Sequence, residues 1–89
     1  MKAIHLVIHG KVQGVFFRKH TFEKANELRL KGIVRNLPDG SVEVFAQGDD
    51  DRIRELVDWC YKGSPSSKVE TVEVSECKPG AFNDFRITA

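Results

Sequence analysis

The sequence predicts an α+β fold in which two helices pack on one face of a mostly antiparallel β-sheet. Segments in which every second residue is apolar, as in strands, alternate with segments in which apolar residues recur every three or four positions, as in helices. Turn residues separate them, which gives the order β-α-β-β-α-β-β. This order fits a ferredoxin-like α/β sandwich. The chain has 89 residues, enough for one domain, which we expect to span residues 1–89.

The first strand and the first helix are indicated by their apolar periods. Apolar residues recur at every second position of Ala3–His9, which predicts a strand. Residues Gly10–Gly14 are predicted to form a loop. Apolar positions recur every three residues from about Phe17 to Leu30, which predicts a helix. Gly32 is expected to end this helix.

A hairpin is predicted next along the chain. Its strands are Ile33–Leu37 and Ser41–Gln47, in which apolar and polar residues alternate. Residues Pro38–Gly40 form the turn, because proline pre-sets φ and glycine accepts a positive φ.

The second half of the chain is predicted to hold one helix and two strands. Asp49 is expected to cap the start of the helix and Gly63 to end it. The apolar residues between them fall at i, i+3, i+4 and i+7, one helical face: Ile53, Leu56, Val57 and Cys60. Val69–Glu76 is predicted to be a strand, and a last short strand contains Phe85 and Ile87.

Composition limits the classes of function. Lys and Arg total 14 against 13 Asp and Glu, so the surplus of positive charge typical of nucleic-acid binding is missing. No apolar run approaches the ~20 residues of a membrane span, and the N-terminus lacks a signal-peptide pattern. We therefore expect a cytoplasmic monomer that binds neither nucleic acid nor membrane. Cys60 and Cys77 are expected to be free thiols.

The segment between the first strand and the first helix has the chemistry of an anion site. The first N–H groups of a helix are unpaired, and the helix dipole adds positive potential there. Gly14 lets the backbone approach a ligand closely, and Arg18 brings a planar, permanently charged guanidinium. The segment is neither a Walker A loop nor a dinucleotide-binding loop. From these residues alone, an ordinary connection with a surface arginine remains open.

Two longer motifs narrow the interpretation. Residues Gly10–Arg18 resemble the first signature of the acylphosphatase family, Gly-x-Val-Gln-Gly-Val-x-Phe-Arg, and residues Gly32–Gly48 resemble the second. The turn Gly63–Pro65 and the closing residues Asp84–Ile87 are also similar to the family, so the resemblance covers nearly the whole chain. Ile33 departs from the aromatic residue usual in the family, at a packing position.

The resemblance implies an enzyme that hydrolyses the carboxyl–phosphate anhydride bond of small acyl phosphates. It implies that Arg18 binds the phosphate and that Asn36 positions the attacking water. It further implies that the phosphate lies against a set of backbone amides: Gln13, Gly14, Val15, Phe16, Phe17 and Arg18. No metal or cofactor is implied. The acidic run Asp49–Asp51 is better explained as a solvated helix start, and Phe16 and Phe17 are expected to be core residues that anchor the loop.

The chemistry of the reaction agrees with these residues. A carboxylate leaving group has a pKa of ~4 and departs without a general acid. Phosphoryl transfer then needs mainly positioned hydrogen-bond donors. An asparagine amide both donates and accepts, so Asn36 can orient water without acting as a base.

Two other functions are weighed against this enzyme. One is a carbamoyl- or acyl-phosphate-binding module without turnover, since such domains occur inside larger proteins. The other is a ferredoxin-like RNA-binding domain, whose sheet would stack bases on aromatic residues. The residues Lys11–Phe17 carry basic and aromatic side chains, but their predicted place is a loop and not a central strand.

Overall fold

A computed structural model describes residues 1–88; Ala89, the last residue of the predicted domain, lies outside them. The predicted order of helices and strands is confirmed. The elements are β1 (Lys2–Lys11), α1 (Phe17–Glu27), β2 (Lys31–Asn36), β3 (Val42–Gly48), α2 (Asp50–Lys62), β4 (Lys68–Glu76) and β5 (Phe85–Thr88).

The five strands form one sheet in the order β4-β1-β3-β2-β5. β1 pairs antiparallel with both β3 and β4, and β2 pairs antiparallel with β3. β2 and β5 are parallel. Both helices pack against this mixed sheet, which confirms the predicted fold class.

The core lies between the two helices and the central strands. The inward residues of β1 pair directly with those of β3, and all of them are buried: Ile4 with Ala46, Leu6 with Val44, and Ile8 with Val42. α2 contributes Ile53, Leu56 and Cys60 from the predicted face, with Val57 at its margin. Burying one such aliphatic side chain contributes about 1.5–3 kcal/mol.

The two cysteines differ in environment. Cys60 is buried and Cys77 is exposed, and both are free thiols as predicted. Burial raises the pKa of Cys60 to about 12, so this thiol packs as a small apolar group.

The predicted end of the first helix is wrong. α1 ends at Glu27 rather than near Leu30, and Gly32 lies in β2. Arg29 makes the turn instead, with a φ of 58°. Its N–H donates to the carbonyl of Asn26 at 3.0 Å, one of the two bonds of a Schellman motif. Because glycine usually occupies this position, an arginine there gives no sequence signal.

Other boundaries shift because of strand pairing. β1 continues through Gly10 to Lys11, residues predicted to be a loop, because they pair with β4 beyond a register shift after His9. Asp49 occupies the N-cap of α2 as predicted, but its carboxylate makes no capping hydrogen bond. Its carbonyl accepts from the N–H of Ile53 at 2.9 Å, the first bond of the helix.

Gly32 has a packing role that yields a stability prediction. Its φ is 149°, and a Cβ added there would lie 1.8 Å from the carbonyl oxygen of Phe45 on β3. Gly32→Ala therefore combines backbone strain with overpacking, and we expect the free energy of unfolding to fall by about 3–5 kcal/mol. Urea denaturation measures this change.

Gly40→Ala is the matched control. Gly40 also has a positive φ, 93°, but no atom lies within 4 Å of an added Cβ. Only the conformational cost remains, and the expected loss is about 1–2 kcal/mol. Equal losses for the two variants would show that the contact with β3 is not what selects glycine at position 32.

Candidate active site

Three strand ends meet at one edge of the sheet. β1 and β2 are both antiparallel to β3, so they run in the same direction, and β5 is parallel to β2. Their carboxyl ends therefore lie at the same edge of the sheet, with the start of β3 between those of β1 and β2. This edge carries the loop of residues 12–16 after β1, Asn36 at the end of β2, and the residues Ile87 and Thr88 of β5.

A cavity of about 300 Å³ opens at this edge. Ligand cavities in proteins start at about this size, so it suits a small molecule. Its lining comes from the loop, the first turn of α1, and the ends of β2 and β5: Val12, Gly14, Phe16, Phe17, Arg18, Lys19, Asn36 and Ile87. Of the predicted site residues, Gln13 and Val15 are not in the lining, and the other five are brought together.

The backbone of the loop has alternating conformations that are typical of anion sites. Gly14 and Phe16 have φ values of 72° and 61°, and residues between and beside them return to other conformations. Such alternation turns successive N–H groups toward one concave side. Within residues 1–88, the N–H groups from Gln13 to Arg18 donate to no other backbone group. The start of α1 adds its dipole at the same place.

Two side chains hold the loop in position, and the sequence analysis missed both. The Gln13 amide Nε2 donates to the carbonyls of Leu37 and Ser41, at 2.8 and 2.9 Å. These carbonyls flank the turn that follows Asn36, so Gln13 fixes the loop to the hairpin. On the other side, the buried Ser64 hydroxyl donates to the carbonyl of Val15 at 3.1 Å. The only sequence signal for Ser64 was its place in a turn similar to the family.

Buried apolar side chains complete the anchoring. Val12, Val15 and Phe17 are all buried, and the Phe17 ring lies 5.3 Å from that of Trp59 on α2. The prediction that Phe16 is a core residue is wrong, because 70% of it is exposed. Its neighbours on both sides point inward, so its own side chain points out and lines the cavity.

The charge in the cavity is positive. Arg18 is half-buried in the first turn of α1, and its Nη1 donates to the carbonyl of Thr88 at 3.3 Å. That length exceeds the usual range, so this contact holds the guanidinium weakly. Lys19 lines the cavity beside it, and none of the described lining residues is Asp or Glu.

Asn36 carries a buried polar atom without a partner. Within residues 1–88, no group donates a hydrogen bond to its Oδ1, although the atom is buried. An unsatisfied buried acceptor costs about 1–3 kcal/mol. Such a cost next to a cation-lined cavity is typical of a group that bonds to a ligand.

An ion pair between the exposed Arg35 and the buried Glu43 carboxylate supports the strand that carries Asn36. Arg35, its neighbour on β2, donates through Nε to Glu43 on β3, and His5 Nε2 lies 2.8 Å from the other carboxylate oxygen. Burial raises the pKa of the Glu43 carboxyl, but the hydrogen bonds from His5 and Arg35 outweigh burial. The net pKa lies below its ordinary value of 4.5.

This pKa shift predicts a pH-dependent contribution to stability. Because the pKa of Glu43 is lower in the folded state, its stabilisation is present above about pH 4.5 and is lost as the pH falls through the folded-state pKa. We expect Glu43→Gln to lower the free energy of unfolding by about 1–3 kcal/mol at neutral pH. Urea denaturation across pH should show the difference from wild type shrinking below pH 4.5.

Glu73→Gln is the control for this prediction. Glu73 contacts His9, but its side chain is 70% exposed, so we expect an effect below about 0.5 kcal/mol at any pH. A difference between Glu43→Gln and wild type that stays constant down to acid pH would contradict the proposed linkage.

Within the described residues, no group of three His, Cys, Asp or Glu side chains is placed to hold a metal ion. The residues Asp49–Asp51 are exposed at the start of α2. Neither helix in the described part of the chain has the length and apolar character needed to cross a membrane.

The chain matches one known protein family over nearly its whole length. The sequence model of the family described as Acylphosphatase matches residues 4–87. The chain belongs to the acylphosphatase family. An acylphosphatase of Shewanella amazonensis is 44% identical over 89 residues, which are 99% of this chain and 98% of the relative. The crystal structure of acylphosphatase from Bacillus subtilis superposes with a TM-score of 0.96 at 33% identity, covering 100% of both chains.

The family assignment confirms the enzyme class predicted from the sequence. Relatives that match this chain over nearly their whole length are named acylphosphatases, which are enzymes that hydrolyse acyl phosphates. The chain is therefore an enzyme of this class. A full-length HypF in its phosphate- and nucleotide-bound form also resembles it, with a TM-score of 0.87 at 28% identity. That match covers 99% of this chain and 12% of HypF, so a domain of this fold also occurs within a much longer protein.

Proposed function

We propose that the protein hydrolyses small acyl phosphates by direct attack of water on phosphorus. Arg18 and the backbone amides of Gln13–Arg18 bind the phosphate, and Asn36 positions the water. One observation carries the proposal: the buried, unpartnered Oδ1 of Asn36 belongs to a residue that lines the same cavity as Arg18.

Binding of the phosphate uses charge and directed donors together. The Arg18 guanidinium needs to give up only a 3.3 Å contact with the Thr88 carbonyl to reach an anion in the cavity. The loop amides require no rearrangement, because Gln13 and Ser64 already fix their backbone. Donors fixed before the reaction stabilise developing charge at little reorganisation cost, about 2.7–4 kcal/mol for each strong donor.

The chemical step is a single displacement. Oδ1 of Asn36 is buried, so its amide must turn toward the cavity to accept a hydrogen bond from water. The water oxygen then forms a bond to phosphorus on the face opposite the acyl oxygen. The bond from phosphorus to the acyl oxygen breaks, and the carboxylate leaves with the electron pair. The proton lost by the water passes to a phosphate oxygen, since a phosphate group titrates near pH ~6. The products are a carboxylate and inorganic phosphate.

Isotope labelling tests the site of attack. Benzoyl phosphate is hydrolysed in water enriched in a heavy oxygen isotope, and both products are analysed by mass spectrometry. Attack on phosphorus places the label in inorganic phosphate, which is the expected result. Label in benzoate would mean attack on the carbonyl carbon, and the proposed role of Asn36 would then be wrong.

The second candidate function is a phosphate-binding module without turnover. The observation behind it is that a domain of this fold also forms a small part of the longer HypF. The two functions are separated by mixing the purified protein with benzoyl phosphate and with inorganic phosphate. Turnover supports the enzyme, whereas phosphate binding without turnover supports the module.

We also propose that residues 1–89 act as one domain, as a cytoplasmic monomer. The free state of Cys60 and Cys77 suits a reducing compartment. Sedimentation of the purified chain at several concentrations tests the monomer.

We propose no nucleic-acid partner, because the aromatic residues Phe16 and Phe17 follow the end of β1, in the loop and the first turn of α1, and do not lie on the strands of the sheet. A salt-sensitive gel shift with single-stranded RNA would overturn this.

A further inference from the structure

Two large apolar side chains are exposed at the mouth of the active-site cavity. Phe16 is 70% exposed and Ile87 is 42% exposed, and both line the cavity. The other large apolar side chains that are exposed in the described chain, Met1, Tyr61 and Val74, do not line it. Exposed apolar groups that gather at one cavity are typical of a surface that contacts a ligand.

The backbone makes the position of Phe16 more specific. Phe16 has a φ of 61°, a left-handed conformation that is rare and strained for a bulky side chain. The same conformation directs its amide with the others of the loop and leaves its ring outside the core. In the family signature this position is variable, so the motif for phosphate binding does not itself demand a phenylalanine.

Ile87 approaches the cavity from a different element. It lies on β5 in register with Val34 of β2, and Asn36 follows two residues later on the same strand face. Phe16 from the loop and Ile87 from β5 therefore stand at the rim of a cavity whose polar groups are Arg18, Lys19 and Asn36.

We infer that Phe16 and Ile87 form the subsite for the acyl group and that the enzyme favours acyl phosphates with a flat, apolar acyl group. This inference rests on the proposed function. The phosphate occupies the polar part of the cavity, and the acyl group extends from it over the Phe16 ring and against Ile87. A ring stacked there gains the contact energy of an aromatic pair, whereas an acetyl group covers little of either side chain.

Substrate pairs test the inference independently of overall activity. Values of kcat/KM are measured for benzoyl phosphate and acetyl phosphate, and the ratio of the two is compared between wild type and variants. We expect Ile87→Ala and Phe16→Ala each to lower this ratio by about five- to tenfold. Phe16→Leu keeps an apolar contact and should lower it less. Tyr61→Ala removes an exposed aromatic ring on α2, away from the cavity, and should leave both values unchanged.

The outcomes separate this inference from the proposed function. If kcat/KM falls equally for both substrates in both variants, or falls for neither, the proposed acyl subsite is wrong and the proposed function is unaffected. If wild type hydrolyses neither substrate, the proposed function fails. Binding of phenylphosphonate and methylphosphonate then decides the subsite alone: weaker binding of the phenyl compound to Ile87→Ala supports it, and unchanged binding overturns it.

A charged acyl group is the competing specificity, because Lys19 also lines the cavity. The matched substrate is para-carboxybenzoyl phosphate, which differs from benzoyl phosphate by one carboxylate. The inference expects benzoyl phosphate to be hydrolysed at least as efficiently. A clear preference for the carboxylate that is lost in Lys19→Gln would overturn it.

Discussion

Arg18→Ala should lower kcat/KM for benzoyl phosphate by about a thousandfold. The guanidinium is the only charged group of the described cavity lining besides Lys19, and Lys19 is exposed to solvent. Without Arg18 the loop amides must hold the phosphate alone. The inhibition constant of inorganic phosphate should therefore rise together with the loss of turnover. Steady-state kinetics with phosphate as a competitive inhibitor measures both effects.

Two variants show whether the loss comes from the guanidinium itself. Arg18→Lys retains the charge but not the planar fork, so it should recover only part of the activity. Arg54→Ala removes an exposed arginine from α2, away from this cavity, and should behave as wild type. The unfolding free energy of Arg18→Ala should change little, since its intramolecular bond is a single 3.3 Å contact. Unchanged turnover in Arg18→Ala would reject the assigned role.

The sequence predicted those parts of the fold whose signal is local. The period of two in β1 and the i, i+3, i+4, i+7 pattern of α2 report directly on burial, and both predictions are confirmed. The end of α1 was not predicted correctly because its left-handed residue is Arg29 and not a glycine. Gly32 was therefore wrongly predicted to end this helix, whereas it lies in β2 and its positive φ permits a close contact with β3 that no local pattern reveals.

The residues of the candidate site also differ in whether the sequence could predict them. Arg18, Asn36 and Gly14 could be predicted because they belong to long motifs, and the structure brings them to one cavity. The residues that hold the loop could not, because Gln13 reaches the hairpin across 24 positions of sequence and Ser64 reaches Val15 across 49. Phe16 was assigned to the core by its apolar character alone. Its exposure follows from the alternation of inward and outward side chains within a short loop. Such a loop is too short for a period of apolar residues to predict which side chains are buried.

Asn36→Ala should abolish most turnover while phosphate still binds. Oδ1 is the group proposed to hold the water, so its loss should lower kcat by about 10²–10³-fold. The phosphate is bound by Arg18 and the loop amides, so its inhibition constant should change by less than about threefold. Single-turnover kinetics and phosphate inhibition, measured on the same preparation, separate the two effects. If phosphate affinity falls in parallel with turnover, Asn36 anchors the ligand and does not position water.

The stability of Asn36 variants is an independent test of the role of this residue. Because Oδ1 of Asn36 is buried and accepts no hydrogen bond from residues 1–88, its removal relieves an unsatisfied acceptor. We therefore expect Asn36→Ala to unfold within about 1 kcal/mol of wild type, or to be more stable, while it is the less active protein. Asn36→Asp keeps the shape but places a negative charge beside the phosphate, so it should lose both turnover and phosphate affinity. A large loss of stability in Asn36→Ala would mean that the amide supports the end of β2, and its place at the cavity would then be structural.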